Sequence, residues 1–177
     1  MSAPRHLVLI GLMGAGKTTI GERSARRLGR RFVDTDAIVQ LTAGASIPEI
    51  FEREGEAGFR ARERTAVADA VASPDPLVIA CGGGAMVDPE NRRAVRDAGV
   101  VIWLQAPPET LAARVERDGV AARPLVAHGP TTVTLTRLAD ARHDAYEAAA
   151  HAGVATEGLD PDAATDAVLA EFARVSE

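Results

Sequence analysis

The chain has 177 residues, 46% of them hydrophobic and 25% charged, enough for one compact domain over residues 1–177 and unlike a disordered tail. Twenty basic against 25 acidic residues give a formal charge of −5, which excludes a broadly basic nucleic-acid-binding surface and leaves room only for a local basic pocket. Cys81 is the single cysteine, so there is no disulfide framework, and no apolar run or cleavable leader suggests a membrane or export; the expectation is a cytoplasmic single domain.

In chain order, His6–Ile10 is an apolar run of the kind that forms a buried parallel strand. A glycine-rich loop follows over residues 11–16, and Ile20, Ala25 and Leu28 then give Lys17–Leu28 a helical stripe that stops at Gly29. Phe32-Val33 predicts a second strand ending in Asp34-Thr35-Asp36. Residues 37–72 read as mostly helical, interrupted by a turn at 42–45, with Ser46 and Glu49 at capping-box spacing. Pro74-Asp75-Pro76 breaks the pattern before a third strand, Leu77–Ala80, which runs into Gly82-Gly83-Gly84. A helix is predicted over about 89–97, a fourth strand over 100–104, and another helix opening at Pro107-Pro108. Residues 117–130 hold Gly119, Pro124 and Gly129 and predict a mobile loop, followed by a helix over 131–150. A weak fifth strand at 153–156 and a closing helix from Asp160-Pro161 to about Val175 complete the chain. This alternation predicts an α/β fold, a doubly wound five-stranded parallel sheet, with ligands gathering at the carboxyl ends of its strands.

Residues 11–18, Gly-Leu-Met-Gly-Ala-Gly-Lys-Thr, satisfy the phosphate-loop pattern between a strand and a helix. Gly14, Ala15 and Gly16 present backbone N–H groups to phosphate oxygens, with Thr19 just inside the helix whose positive end adds to the attraction. Lys17 can reach the β- and γ-phosphates, and the Thr18 hydroxyl can ligate Mg²⁺. The other 19 basic residues are all arginine, so a compact ammonium is kept at one place only. This loop points to a nucleoside triphosphate and is silent on the acceptor.

Asp34 and Asp36, at i and i+2, would lie on one side of an extended strand end. Asp34 suits Mg²⁺ held through water and Asp36 an acceptor hydroxyl; alternatively, one of them caps the next helix. Arg60 belongs either to a ligand site or to the charged solvated face of its helix. Gly82, Gly83 and Gly84 either expose backbone to a ligand or form a plain loop. Arg123, with Arg117 nearby, is placed to close over a triphosphate, and Arg142, with Tyr146 four residues on, is an anion fork or a surface residue.

Together these stretches resemble the shikimate kinase family from Leu9 to about Thr156. The resemblance is carried by the phosphate loop with Thr19-Ile20-Gly21, Phe32-Val33-Asp34-Thr35-Asp36, Ser46-Ile47-Pro48-Glu49-Ile50-Phe51, Glu54-Gly55-Glu56, Phe59-Arg60, the triple glycine, Arg123-Pro124-Leu125 and the Arg142-to-Tyr146 spacing. It implies a nucleoside-monophosphate-kinase-like fold with a substrate-binding helical segment at about 37–64 and a lid at about 115–128. It also implies a monomeric, cytoplasmic enzyme that uses ATP and Mg²⁺ to phosphorylate the 3-hydroxyl of shikimate, with no nucleic-acid or membrane partner. By resemblance, Lys17 and Thr18 serve the phosphates and Mg²⁺, and Asp34 supports the metal. Asp36 binds shikimate hydroxyls as candidate base, Arg60 and Arg142 hold the carboxylate, and the backbone of Gly82, Gly83 and Gly84 lines the acceptor pocket. Arg123 and Arg117 belong to the lid. Cys81 stands where the family often has threonine and reads as a small core residue, Asp144 replaces a common proline, and residues 156–161, where the family contacts adenine, carry no firm motif. His6, His128, His143 and His151 lack metal-ligand spacing and read as surface or strand-end residues. The competing readings are a gluconate or cyclitol kinase of the same architecture and a non-catalytic nucleotide-binding module.

Overall fold

Short β-branched and leucine-rich segments separated by helices can bury both faces only as parallel strands, and that is how they pair. The computed structural model describes residues 5–119 and 129–177. Its elements are β1 (His6–Ile10), α1 (Lys17–Leu28), β2 (Arg31–Asp34), α2 (Thr35–Ala43), α3 (Ile47–Val71), β3 (Leu77–Ala80), a 3₁₀ turn (Ala85–Val87), α4 (Pro89–Ala98), β4 (Gly99–Gln105), α5 (Pro108–Asp118), α6 (Thr131–Ala149), β5 (Ala152–Ala155) and α7 (Pro161–Ser176). The five strands form one all-parallel sheet in the order β2-β3-β1-β4-β5. Central β1, β3 and most of β4 are fully buried, and Leu7, Val8, Ile79, Val101 and Ile102 anchor the main core. Helices α1 and α7 pack together over β3 and β4, while α4 packs against both α3 and α6, and α4 and α6 reach β4. No helix among the described residues is long and apolar enough to cross a membrane.

A second, smaller core of Val39, Ile50, Phe59 and Ala66, with Phe51 stacked on Phe59 at 4.7 Å between ring centroids, ties α2 to the first half of α3. Ser46 and Glu49 form the expected capping box at the start of α3.

The structure departs from the sequence expectations at three places. Helix α2 starts at Thr35 rather than Ala37, because the Asp34 carboxylate caps it by accepting from the backbone N–H of Asp36 and Ala37. Helix α3 is kinked at Gly55, whose φ of 70° and ψ of −175° only glycine adopts readily. Strand β5 lies one residue earlier, at Ala152–Ala155. His6 is at a strand end as expected, and it is buried there: its Nδ1 accepts from the Leu77 N–H at 3.0 Å and its Nε2 meets the Val71 carbonyl at 3.2 Å, so one ring knits the start of β1 to β3 and the end of α3. His151 is at a strand end as expected, its Nδ1 accepting from Val101 N–H. Arg123, Pro124, Leu125 and His128, with most of the expected lid, lie outside the described residues.

Candidate active site

The carboxyl ends of β1, β2 and β3 open into a cleft of about 430 Å³. One wall is the phosphate loop, where Gly11, Gly14 and Gly16 all have positive φ. At Gly11 a Cβ would come within 2.6 Å of the Leu104 carbonyl, so the loop passes β4 at a distance no side chain permits. Gly14, Ala15, Gly16, Lys17, Thr18 and Thr19 all line the cleft. Lys17 Nζ donates to the carbonyls of Gly11 at 2.7 Å and Leu12 at 3.0 Å. Burial lowers its pKa from 10.5 to about 8 against the pull of Asp36 and Asp34.

Asp34 takes the capping alternative and also meets the phosphate loop. One oxygen caps α2, and the other accepts from the Thr18 hydroxyl at 3.2 Å. The expectation that Asp34 and Asp36 share one side of an extended strand is corrected, since Asp36 sits in the first helical turn and converges on the cleft through that cap. Asp36 Oδ1 is buried without a hydrogen-bond partner. Burial first, then Asp34 and Glu63, raise its carboxyl from 3.8 to about 6, with Lys17 and Arg60 pulling the other way.

The acceptor wall comes from α3, α6 and the segment after β3. Arg60 is partly buried and lines the cleft, and its Nη1 donates to Glu63 Oε2 at 2.7 Å. Glu63, 2% exposed, was not singled out from the sequence; burial raises its pKa while Arg60 opposes the shift. Arg142 is no surface residue: it is 6% exposed and faces the same cleft. Two of the three glycines leave room for these side chains that a Cβ would take. A Cβ on Gly82 would lie 2.5 Å from Asp36 Oδ1 and 2.9 Å from Glu63 Oε1, and one on Gly84 would overlap the Arg60 guanidinium. Gly83 and Gly84 line the cleft, whereas Gly82 is buried beside Asp36 and Glu63, its N–H donating to the Thr35 hydroxyl at 2.9 Å. Cys81 is buried, its thiol pushed up to about 12 by desolvation, which fits an inert core residue.

Arg114 is the other residue that sequence reasoning missed. It donates to the Gly14 carbonyl at 3.2 Å and to the Thr156 hydroxyl and carbonyl at 3.1 and 3.0 Å, tying the phosphate loop to the end of β5. Thr156, Leu159 and Pro161 continue this wall. Arg117 reaches the cleft but is exposed and paired with its neighbour Asp118 at 3.1 Å. Arg123 lies outside the described residues. Away from the cleft, exposed His143, Asp144 and Glu147 bring donor atoms within 4.8 Å of one another on α6, a grouping the histidine spacing did not suggest.

The arrangement can hold a polyphosphate on one wall and an anionic polyol on the other, with the Asp36 carboxyl at the cleft between them. Comparison with known proteins agrees. The family model described as shikimate kinase matches residues 13–173. A shikimate kinase of Symbiobacterium thermophilum is 49% identical over 152 residues, 86% of this chain and 87% of the relative. One of Neisseria gonorrhoeae is 46% identical over 140 residues, 79% of this chain and 81% of the relative. Among solved structures, shikimate kinase from Acinetobacter baumannii in complex with shikimate superposes with a TM-score of 0.87 at 35% identity, covering 98% of this chain and 93% of that one. A gluconokinase from Sinorhizobium meliloti, at 19% identity and a TM-score of 0.62, shares the fold.

Proposed function

We propose a function for this cleft from one premise: the chain belongs to the shikimate kinase family. The protein is a kinase that transfers the γ-phosphoryl group of ATP to the 3-hydroxyl of shikimate, giving shikimate 3-phosphate, ADP and a proton. The observation that carries this reading is the pair of inward-facing arginines, Arg60 and Arg142, sharing one cleft with the phosphate loop and the Asp36 carboxylate. A carboxylate-bearing polyol needs both features, whereas a neutral cyclitol has no use for two guanidinium groups.

Phosphoryl transfer asks a protein mainly for positioning and charge neutralisation. Lys17 and the N–H groups of residues 14–19 hold the triphosphate, Arg60 and Arg142 hold the acceptor's carboxylate, and Asp36 accepts a hydrogen bond from the 3-hydroxyl and takes its proton. Arg117, in the last turn of α5, and Arg123 neutralise charge on the nucleotide's phosphates. The hydroxyl of Thr18 and the carboxylate of Asp34, already in contact, are hard oxygen donors that fit Mg²⁺, one directly and one through water. When bound, Mg²⁺ neutralises charge on the phosphates. The enzyme acts in the cytoplasm as a monomer on these two substrates, without a membrane or nucleic acid, the last of these supported by the net charge of −5.

An ADP-release assay with Mg²⁺-ATP and shikimate, gluconate or a neutral cyclitol tests the assignment. Shikimate is expected to be turned over far faster than either alternative, and preference for gluconate or the cyclitol would overturn it. ATP binding without transfer to any of the three would instead favour a non-catalytic module.

The raised carboxyl of Asp36 sets a pH dependence. Its ionised form is the base, and its pKa lies near 6, so kcat/KM for shikimate is expected to fall about tenfold per unit as pH drops below about 6. A profile flat down to pH 5 would remove Asp36 from the proton transfer.

A further inference from the structure

Tyr146 lies one turn beyond Arg142 on α6 and is 1% exposed, with Trp103 of β4 packed against its ring at 5.5 Å between centroids. A buried phenol keeps its hydroxyl only where a partner satisfies it. The Tyr146 hydroxyl donates its one proton to the Gly83 carbonyl, and its oxygen faces the positive charge of the Arg142 side chain, toward which it can only accept. One atom therefore joins the backbone of the acceptor wall to a guanidinium that is 6% exposed. Among the described residues no carboxylate lies within ion-pair distance of Arg142, so no acidic side chain fixes its direction. The gap beside it is narrow: a Cβ on Gly83 would lie 3.3 Å from Arg142 Nη1 and 3.6 Å from the Gly11 carbonyl.

We propose that Tyr146 is a positioning residue for acceptor specificity: its hydroxyl aims Arg142 at the acceptor's carboxylate and holds Gly83 clear of it. This rests on the reading of the cleft as a shikimate site. Tyr146 touches neither reacting group, so its effect falls on acceptor recognition rather than on the transfer step.

The test is Tyr146→Phe in the full chain, which keeps the ring and removes one oxygen. The expected result is a rise of about tenfold in KM for shikimate, with kcat and KM for ATP changed by less than about threefold. The preference for shikimate over its neutral carboxamide should shrink by the same factor, a readout that general loosening of the fold would not move. In an Arg142→Gln background, adding Tyr146→Phe should cost no further preference. An unchanged KM, an unchanged preference, or parallel losses for shikimate, carboxamide and ATP accompanied by a lowered melting temperature would each overturn the proposal. Failure of the wild-type protein to phosphorylate shikimate at all would instead overturn the assignment beneath it.

Discussion

Asp36→Asn is expected to lower kcat for shikimate phosphorylation by roughly 10²- to 10⁴-fold while leaving ATP affinity nearly unchanged. Asparagine keeps the shape and can still orient a hydroxyl, but it cannot take a proton at neutral pH. The substitution has a second signature, opposite in sign. The folded protein holds the Asp36 carboxyl near 6 against an ordinary 3.8, so between those values it binds more protons than the unfolded chain and loses stability as pH rises. Above about pH 6 the whole cost of ionising a buried carboxyl beside Asp34 and Glu63 is present, at most about 3 kcal/mol for a shift of this size. The Asn variant should therefore melt higher than wild type at pH 7 and show little difference at pH 4. Thermal melts at the two pH values alongside kcat separate this from simple damage: a variant that loses activity by unfolding would melt lower at pH 7.

Gly84→Ala is expected to raise KM for shikimate by about 100-fold with the protein still folded and ATP binding unaltered. Gly84 has φ −98° and ψ −6°, a conformation alanine adopts without strain, so the backbone does not object. The added methyl overlaps the Arg60 guanidinium, with its Nη2 at 2.5 Å, and that is the movable end of a long side chain. Arg60 would swing away, which relieves the overlap but removes one arm of the proposed carboxylate clamp and, by leaving buried Glu63 without its partner, also lowers the melting temperature. Gly83→Ala meets Arg142 only at 3.3 Å and should show a smaller effect in the same direction. A Gly84→Ala protein with wild-type KM would mean that Arg60 does not hold the acceptor.

The phosphate loop was legible because its chemistry is local: the glycines, the lysine and the hydroxyl act through backbone geometry that eight consecutive residues determine. The pairing of Asp34 with Asp36 was legible in composition but not in geometry, since residue spacing cannot say whether a strand continues or a carboxylate ends it by capping. Glu63 was hidden among charged neighbours on α3, yet a signal existed. Phe59, Glu63, Ala66, Val67 and Ala70 share the buried stripe at helical spacing, and a glutamate on that stripe must have a buried partner. Arg142 shows the same pattern with Leu135, Tyr146 and Ala149. Arg114 offered no comparable sign, because its partners Gly14 and Thr156 are distant in sequence and are reached through backbone carbonyls that any residue carries. The triple glycine suggested bare backbone for a ligand. Much of its purpose is room for Asp36, Glu63 and Arg60, which depends on contacts between chain segments that no single stretch encodes.

The most direct test is a crystal structure of the protein with ADP and shikimate bound. It should place the shikimate carboxylate on Arg60 and Arg142 and its 3-hydroxyl within hydrogen-bond distance of the Asp36 carboxylate, on the side facing the phosphate loop. Shikimate bound with its carboxylate away from both arginines, or with another hydroxyl at Asp36, would contradict the account.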